Sequence, residues 1–490
     1  MIRFHACTRF DSVGILAIAI AAACCDPRLS LHAAELHVGA TTVDITPDQP
    51  VALDGQRHVR ISKMPATPIQ ATVLALESRD GDRVLDQAII VSCDLVAIRD
   101  GILEKVRDKL GKRSPELDRR KLFLNATHTH TAPVTIDDKY ALPESGIMQP
   151  GEYADWMTGR IADAVAEAWQ RRQPGKVAWG QSQAVIAQNR RPYYGNGTAV
   201  MYGKTDSPDF RGIESYEDHN VEILYFWNAD DELIATAINV ACPSQEVGGT
   251  TSIHADFWDP LRRQLRDKYG DQLHILGWAG AGGDVTSRLA YGRAADERMR
   301  KLRGGVSRLD EIAQRLLIAW EEALLGAKND IRQDVVFEHH TLDIALPYRR
   351  VTEKESTAAK LEAERYKDDP KQKWNHRWNQ AVVDRYQADQ SGASDPYSME
   401  LHALRLGDVA IVSNSFELYT DYGVQMKARS PAIQTFVIQL AGPGTYLPTQ
   451  RAVLHGGYGA VVQSSKLGPD AGQALVDQTV EAIKQMWDEN

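Results

Sequence analysis

The stretch FLNATHTHTAP, Phe123 to Pro133, places His128 and His130 two residues apart at the end of an apolar run. In an extended chain, residues i and i+2 project to the same side, so the two imidazoles can converge on one point, as a metal ion or a metal-bound water requires. A plainer reading has both rings satisfying hydrogen bonds with Asn125, Thr127 and Thr129. Zinc takes nitrogen, sulfur and oxygen donors and keeps one position open in catalytic sites, so the metal reading needs further donors. Loops that follow strands are where functional groups tend to sit. Four such loops qualify: NVACPSQ with Cys242, followed by SIHADFWD with His254 and Asp256; GWAGAGGDVTSR with Asp284 and Thr286; SNSFELYTDYG with Glu417; and AGPGTYLPT with Tyr446. Each also has a structural role open to it: Asp284 as a turn cap, Glu417 as a first-turn acid, Tyr446 as a packed aromatic.

The elements that must position these residues alternate between two periods. ELHVGATTVDIT, ATVLALES, QAIIVSCDLV, KLFLNAT, KVAWGQSQAVI, NVEILYFWN, ELIATAINVA and LHILGWAG read as strands. Helical spacing appears in RDGILEKVRDKLGKR, GEYADWMTGRIADAVAEAWQRRQ and FWDPLRRQLRDKYG, and residues 293–327 read as one long helical region. EHHTLDIALPY returns to a strand, and residues 352–390 read as a solvated helical excursion with no direct part in chemistry. MELHALRLGDVAIVSN and TFVIQLAG complete the strands. This pattern predicts an α/β fold of mixed sheets covered by helices. No repeat or linker interrupts it, so one large catalytic domain over residues 35–490 is expected.

Hydrophobic residues make up 43% and charged residues 25% of the 490, which excludes general disorder. The excess of 66 acidic over 56 basic residues argues against a nucleic-acid partner. Residues 1–34 have the basic, apolar and small-residue order of a secretory signal peptide, with cleavage near Ala33 or Ala34, so export to the periplasm or medium is expected. Lipid attachment at Cys24 is a lesser alternative. Cleavage leaves Cys93 and Cys242, which rules out a disulfide scaffold; the two thiols can pair if adjacent, or Cys242 can sit in an active site.

Four blocks in order resemble the neutral/alkaline (non-lysosomal) ceramidases over most of the mature chain: THTHTAP, GGDVTSR, SFELYTDYG and GPGTYLPT, with NRRP, Asn189 to Pro192, similar to that family's Asn-Arg-Ser stretch. The resemblance implies a zinc site in which His128, Glu417 and Tyr446 are ligands, His130 assists at the reacting centre and Arg190 lies near the substrate. Where the family has its second zinc histidine, this chain has Cys242-Pro243-Ser244, so the ligand there is either a Cys242 thiolate or missing, with His254 as the candidate substitute. Thr286 replaces a serine and Ser287-Arg288 replace Pro-Asn. The chain stops soon after the tyrosine block, so the family's C-terminal β-sandwich domain is expected to be absent. The implied activity is zinc-dependent hydrolysis of the amide of an N-acyl, ceramide-like substrate. Asp284 would orient a ligand or water, and Thr286 would steady the oxyanion. Such a small-molecule or lipid amide substrate allows contact with a lipid surface. Hydrolysis of a glycosidic or ester bond in an extracellular polymer, and a non-catalytic binding protein, are the competing readings, and oligomeric state is left open.

Overall fold

A computed structural model describes residues 33–392 and 395–488. The expected signal segment up to residue 32, Cys24 included, lies outside the described residues. Two mixed sheets stack face to face. The larger runs His274–Ala279, Leu233–Val240, Asn220–Asn228, Gln173–Gln183, Ala34–Asp44, Gln70–Asp80, Arg83–Cys93, Leu122–Ala126, with Asp334–Val335 attached to Ala34–Asp44. Its two outermost pairs are parallel and the others antiparallel. The smaller sheet runs Phe337–Leu346, Tyr397–Leu406, Val409–Ser413, Gln434–Ile438, the last pair parallel.

Strand alternation sorts the apolar residues between layers. Leu74, Ile90, Leu224 and Leu276 face Leu404, Leu406, Ile411 and Phe436 across the space between the sheets. Val73, Val91 and Leu124 point the other way, onto the helices Ile102–Leu110 and Pro150–Gln170. Leu401, Val412 and Val437 cover the outer face of the smaller sheet with Thr420–Arg429 and Pro469–Asp488. The order is helix, sheet, sheet, helix, the α/β architecture expected from the alternating periods. Twist accumulated along the larger sheet brings its two ends together: the Gly277 carbonyl accepts from Ser92 Oγ at 2.6 Å and from Asn125 Nδ2 at 3.4 Å. The Leu122–Ala126 strand end therefore opens beside the Leu233–Val240 and His274–Ala279 ends.

Two expectations change. The 293–327 region is two helices, Arg293–Leu302 and Arg308–Ala327, because Gly304 and Gly305 adopt φ of 89° and 80° and Ser307 then caps the second by accepting from the Asp310 N–H. The 352–390 segment is a hairpin of helices Glu353–Tyr366 and Lys373–Ser391 that packs against the loop carrying Tyr458 and Val462. Its apolar face buries Val351, Ala359, Val382 and Val383 with Val462. It is an attached cover instead of a solvated excursion.

Candidate active site

The first histidine segment leaves its strand at Ala126 and continues as a pinned loop. Thr127 N–H donates to Cys93 O at 2.9 Å and Thr129 N–H to Leu95 O at 3.1 Å, while the hydroxyls of Thr129 and Thr131 both donate to His254 O. Between them His128 takes φ +68°, a conformation costly for a residue with a side chain. This turn, and not strand alternation, brings the imidazoles together: His128 Nε2 and His130 Nε2 stand 3.3 Å apart. Gly55, at φ +94°, lies so close to His130 that a Cβ there would fall 2.5 Å from its ring. The Arg60 guanidinium donates to the His130 carbonyl at 2.6 Å.

Glu417 and Tyr446 arrive by a different route. They are register partners in the short parallel pairing of Glu417–Leu418 with Tyr446–Leu447, which sets both on one side of the cavity. A second pairing, Val285–Thr286 against Gln188–Asn189, holds the GGDVT loop beside the NRRP segment. Asp284 is the fastener between these parts. Its carboxylate accepts from Asn189 Nδ2 at 2.9 Å and from the Thr420 N–H and hydroxyl at 2.9 and 2.8 Å. Burial pushes its pKa up to about 6. Neither Asp284 nor Thr286 lines the cavity, so they position other groups.

The hydrogen bonds fix the protonation pattern at the centre. Arg190, 2% exposed in its side chain, spends its four Nη hydrogens on Tyr202 Oη (2.9 Å), Gln245 Oε1 (3.0 Å), Gly283 O (2.8 Å) and Tyr446 Oη (3.3 Å). A guanidinium only donates, so the Gln245 oxygen must face it and the Gln245 amide nitrogen must donate to His130 Nε2, 3.0 Å away. His130 Nε2 is thus an acceptor. Burial, reinforced by the neighbouring His128 ring and the Arg190 guanidinium, holds the His130 pKa well below its ordinary value, which keeps the ring neutral. His128 donates Nδ1–H to Val96 O at 2.5 Å, which aims Nε2 into the site. That Nε2 lies 3.4 Å from Glu417 Oε2, a buried oxygen without a hydrogen-bond partner among the described residues. Burial would raise the Glu417 pKa, but the facing His128 imidazole and the Arg190 guanidinium outweigh it and the carboxylate is held below its usual range.

Two unpartnered acceptors facing one space, His128 Nε2 and Glu417 Oε2, call for a cation there, a proton or a metal ion. Among the described residues no group of three or more His, Cys, Asp or Glu is arranged as a metal site. The donor set is instead His128 and Glu417 with the Tyr446 phenol, nitrogen and oxygen donors whose type fits zinc with an open position. The imidazole fixed through Nδ1 and the orphaned Glu417 oxygen carry that fit.

Cys242 does not join them. Its sulfur lies in the core with Ile186, Val240 and Phe257, nearest the Ile186 and Pro243 carbonyls at 3.9 and 3.8 Å, and burial pushes the thiol pKa far up. The expected thiolate ligand is corrected on that ground: the chain turns after Val240 so that Gln245, not Cys242, reaches the cavity. His254 is also outside, its ring accepting from the Asp256 N–H. Cys93 and Cys242 are both free.

The cavity of about 800 Å³ contains His128, His130, Arg190, Glu417 and Tyr446. It also contains groups the sequence reading passed over. Asp54 sits beside His130, paired with Arg99 at 3.1 Å and with Lys139; burial would raise its pKa, yet these two cations hold it far below the carboxylate range. Burial lowers Lys139 to about 8. At the other side Trp374 and Trp378, from the helical hairpin, and Tyr458 form an aromatic wall. A motif search had no handle on Asp54, Gln245 or the wall, because none lies in a spaced donor pattern.

No family model matches this chain, and no curated protein does. Solved structures do match in fold. A structure of ceramidase complexed with C2 aligns at TM-score 0.66 and 15% identity, over 92% of this chain and 76% of that one. Neutral ceramidase from Pseudomonas aeruginosa aligns at TM-score 0.66 and 16% identity, over 92% and 75%. The chain has the neutral ceramidase fold.

Proposed function

We propose that this protein is an exported zinc-dependent hydrolase that cleaves the amide bond of an N-acyl substrate. The observation that carries this reading is the convergence of His128 Nε2, Glu417 Oε2 and Tyr446 Oη on one side of a cavity that also holds a neutral, fixed imidazole. His128, Glu417 and Tyr446 would hold the metal. Zinc, when bound, supplies a Lewis acid that lowers the pKa of water toward about 7 and polarises a carbonyl.

The protein's own groups supply the rest. His130 presents a neutral imidazole, oriented by the Gln245 amide and with its backbone held by Arg60, whose Nε2 would take a proton in exchange for the Gln245 hydrogen bond. Arg190 keeps a fixed positive charge beside Glu417, with Nη2 at 3.9 Å, and its spent hydrogens make it a source of field more than a free donor to substrate. Hydrolysis adds the water hydroxyl to the acyl carbon and its proton to the departing nitrogen, giving a carboxylic acid and an amine. His130 is placed to carry that proton between the two. The likeness to ceramidases in fold makes an amide the first bond to test, since fold alone does not fix chemistry.

Export rests on the basic, apolar and small-residue order of residues 1–34. The first described strand starts at Ala34, so cleavage after Ala33 leaves it whole and cleavage after Ala34 removes only its first residue, which pairs with Val335. N-terminal sequencing of the secreted protein checks this.

The decisive test is metal content beside activity. Protein purified without chelator should carry about one zinc per chain, and His128→Ala should lose both the zinc and amide hydrolysis. A His128→Ala protein with full activity would remove the mechanism. Zinc bound without turnover on any amide would remove the reaction and leave the metal site.

A further inference from the structure

The wall of the cavity carries more positive charge than the proposed chemistry uses. Five cationic side chains, Arg57, Arg99, Lys139, Arg190 and Arg288, line it against two carboxylates, Asp54 and Glu417. Asp54 is shared by Arg99 and Lys139, and Glu417 stands against Arg190 and His128. Arg57 and Arg288 remain without a carboxylate partner among the described residues. This excess sits in a chain whose formal net charge is −10, so it is local and not a property of the whole surface.

Arg57 is also mounted. Its guanidinium carbon lies 4.9 Å from the Trp374 ring centre, 4.8 Å from Trp378 and 4.6 Å from Tyr458. Three rings around one guanidinium hold it by cation–π attraction, and the residue is exposed, so its N–H groups stay open to a ligand. Tyr458 in turn packs on Tyr446, ring centres 5.5 Å apart, so this mount is continuous with the wall of the candidate metal site. A long hydrocarbon chain finds little here: Val96 and Met201 are the only aliphatic side chains among the lining residues.

We propose that Arg57, mounted on Trp374, Trp378 and Tyr458, forms an anion subsite at the cavity mouth, and that the substrate is an amide bearing a carboxylate away from the scissile bond, an N-acyl amino acid, instead of a neutral long-chain lipid. The substrate class rests on the hydrolase reading above; the anion subsite does not. Arg57 would bind the carboxylate through its N–H edge, with the positive excess of the cavity drawing the anion in.

The test separates the two readings by using a ligand that cannot be hydrolysed. 3-Benzoylpropionate, the carbon analogue of N-benzoylglycine, and its neutral methyl ketone counterpart, 1-phenylpentane-1,4-dione, are titrated calorimetrically into the zinc-loaded mature protein. The carboxylate should bind about tenfold or more tightly than the methyl ketone, as expected for a hydrogen bond to a charged group. Arg57→Met should erase the difference and Arg57→Lys should keep the larger part of it, with melting curves confirming that both variants are folded. Equal affinities in the unsubstituted protein, no binding of either compound, or a preference that survives Arg57→Met would overturn the subsite. Turnover of N-benzoylglycine is measured separately. If no amide is cleaved while the binding preference stands, the hydrolase reading fails and the subsite holds; if a neutral long-chain amide is cleaved and no preference is seen, the subsite fails and the hydrolase reading holds.

Discussion

At the scale of single residues, Gln245 decides what the two histidines can be. Its amide is oriented by Arg190 and Tyr202, and its nitrogen makes His130 Nε2 an acceptor. It is a positioning residue, so its loss should appear in kcat more than in KM. Gln245→Leu is expected to lower kcat about 10²-fold, the scale of one misdirected acid–base group, with KM changed far less. Gln245→Glu keeps an acceptor for Arg190 but removes the donor to His130, so it should be nearly as impaired as Gln245→Leu. A Glu variant with intact kcat would show that holding Arg190, not directing His130, is what Gln245 contributes. Steady-state kinetics on an amide that the unsubstituted protein cleaves reads both outcomes.

At the scale of elements, the contact between the larger sheet's helical cover and the smaller sheet is electrostatic as well as apolar. Glu400, on Tyr397–Leu406, receives Arg107 from the helix Ile102–Leu110 and lies 2.9 Å from His402 Nε2; His402 then meets His339, which reaches the Gln87 carbonyl. Burial would raise the Glu400 pKa, but His402 and Arg107 bring it down to about 2. A carboxylate with a depressed folded-state pKa stabilises the fold above its unfolded value of about 4.3 and loses that contribution as pH falls through the folded value. Glu400→Gln should therefore be less stable than the unsubstituted protein at pH 7, with the gap closing as pH falls from about 4.3 toward 2. Urea melts at a series of pH values check this, and a gap independent of pH would mean that packing rather than charge is what Glu400 supplies. The helical hairpin belongs to this scale too: its Thr352 capping box starts one helix and its paired tryptophans finish the cavity.

At the scale of the whole molecule, the candidate metal ligands come from different parts of the fold. His128 follows a strand of the larger sheet, whereas Glu417 and Tyr446 follow strands of the smaller one. An ion held by all three would tie the two sheets together at their open ends. Zinc added to metal-depleted protein at about 100 times its Kd should therefore stabilise the fold by about 2.7 kcal/mol, seen as a raised melting temperature. His128→Ala and Glu417→Gln should each abolish that rise. A melting temperature indifferent to zinc in the unsubstituted protein would count against the metal reading without reference to any substrate.

The α/β class, mixed sheets covered by helices, and the candidate donors could be read along the chain alone. Strand and helix periods are local, so the alternation of buried residues in ATVLALES or MELHALRL was readable before any contact was known, and His128, Glu417 and Tyr446 stood out as polar groups just past apolar runs, while Arg190 entered only through the family resemblance of NRRP. What joins them was decided in three dimensions. The φ +68° turn at His128, the Glu417 to Tyr446 register and the choice of Gln245 over Cys242 follow from loop geometry set by distant partners such as His254 O, Asp284 and Arg190. The helical hairpin's place in the cavity belongs to the same class. Its amphipathic pattern says that one face is covered, but only the tertiary fold says by what, because long-range packing carries no periodic signature in the chain.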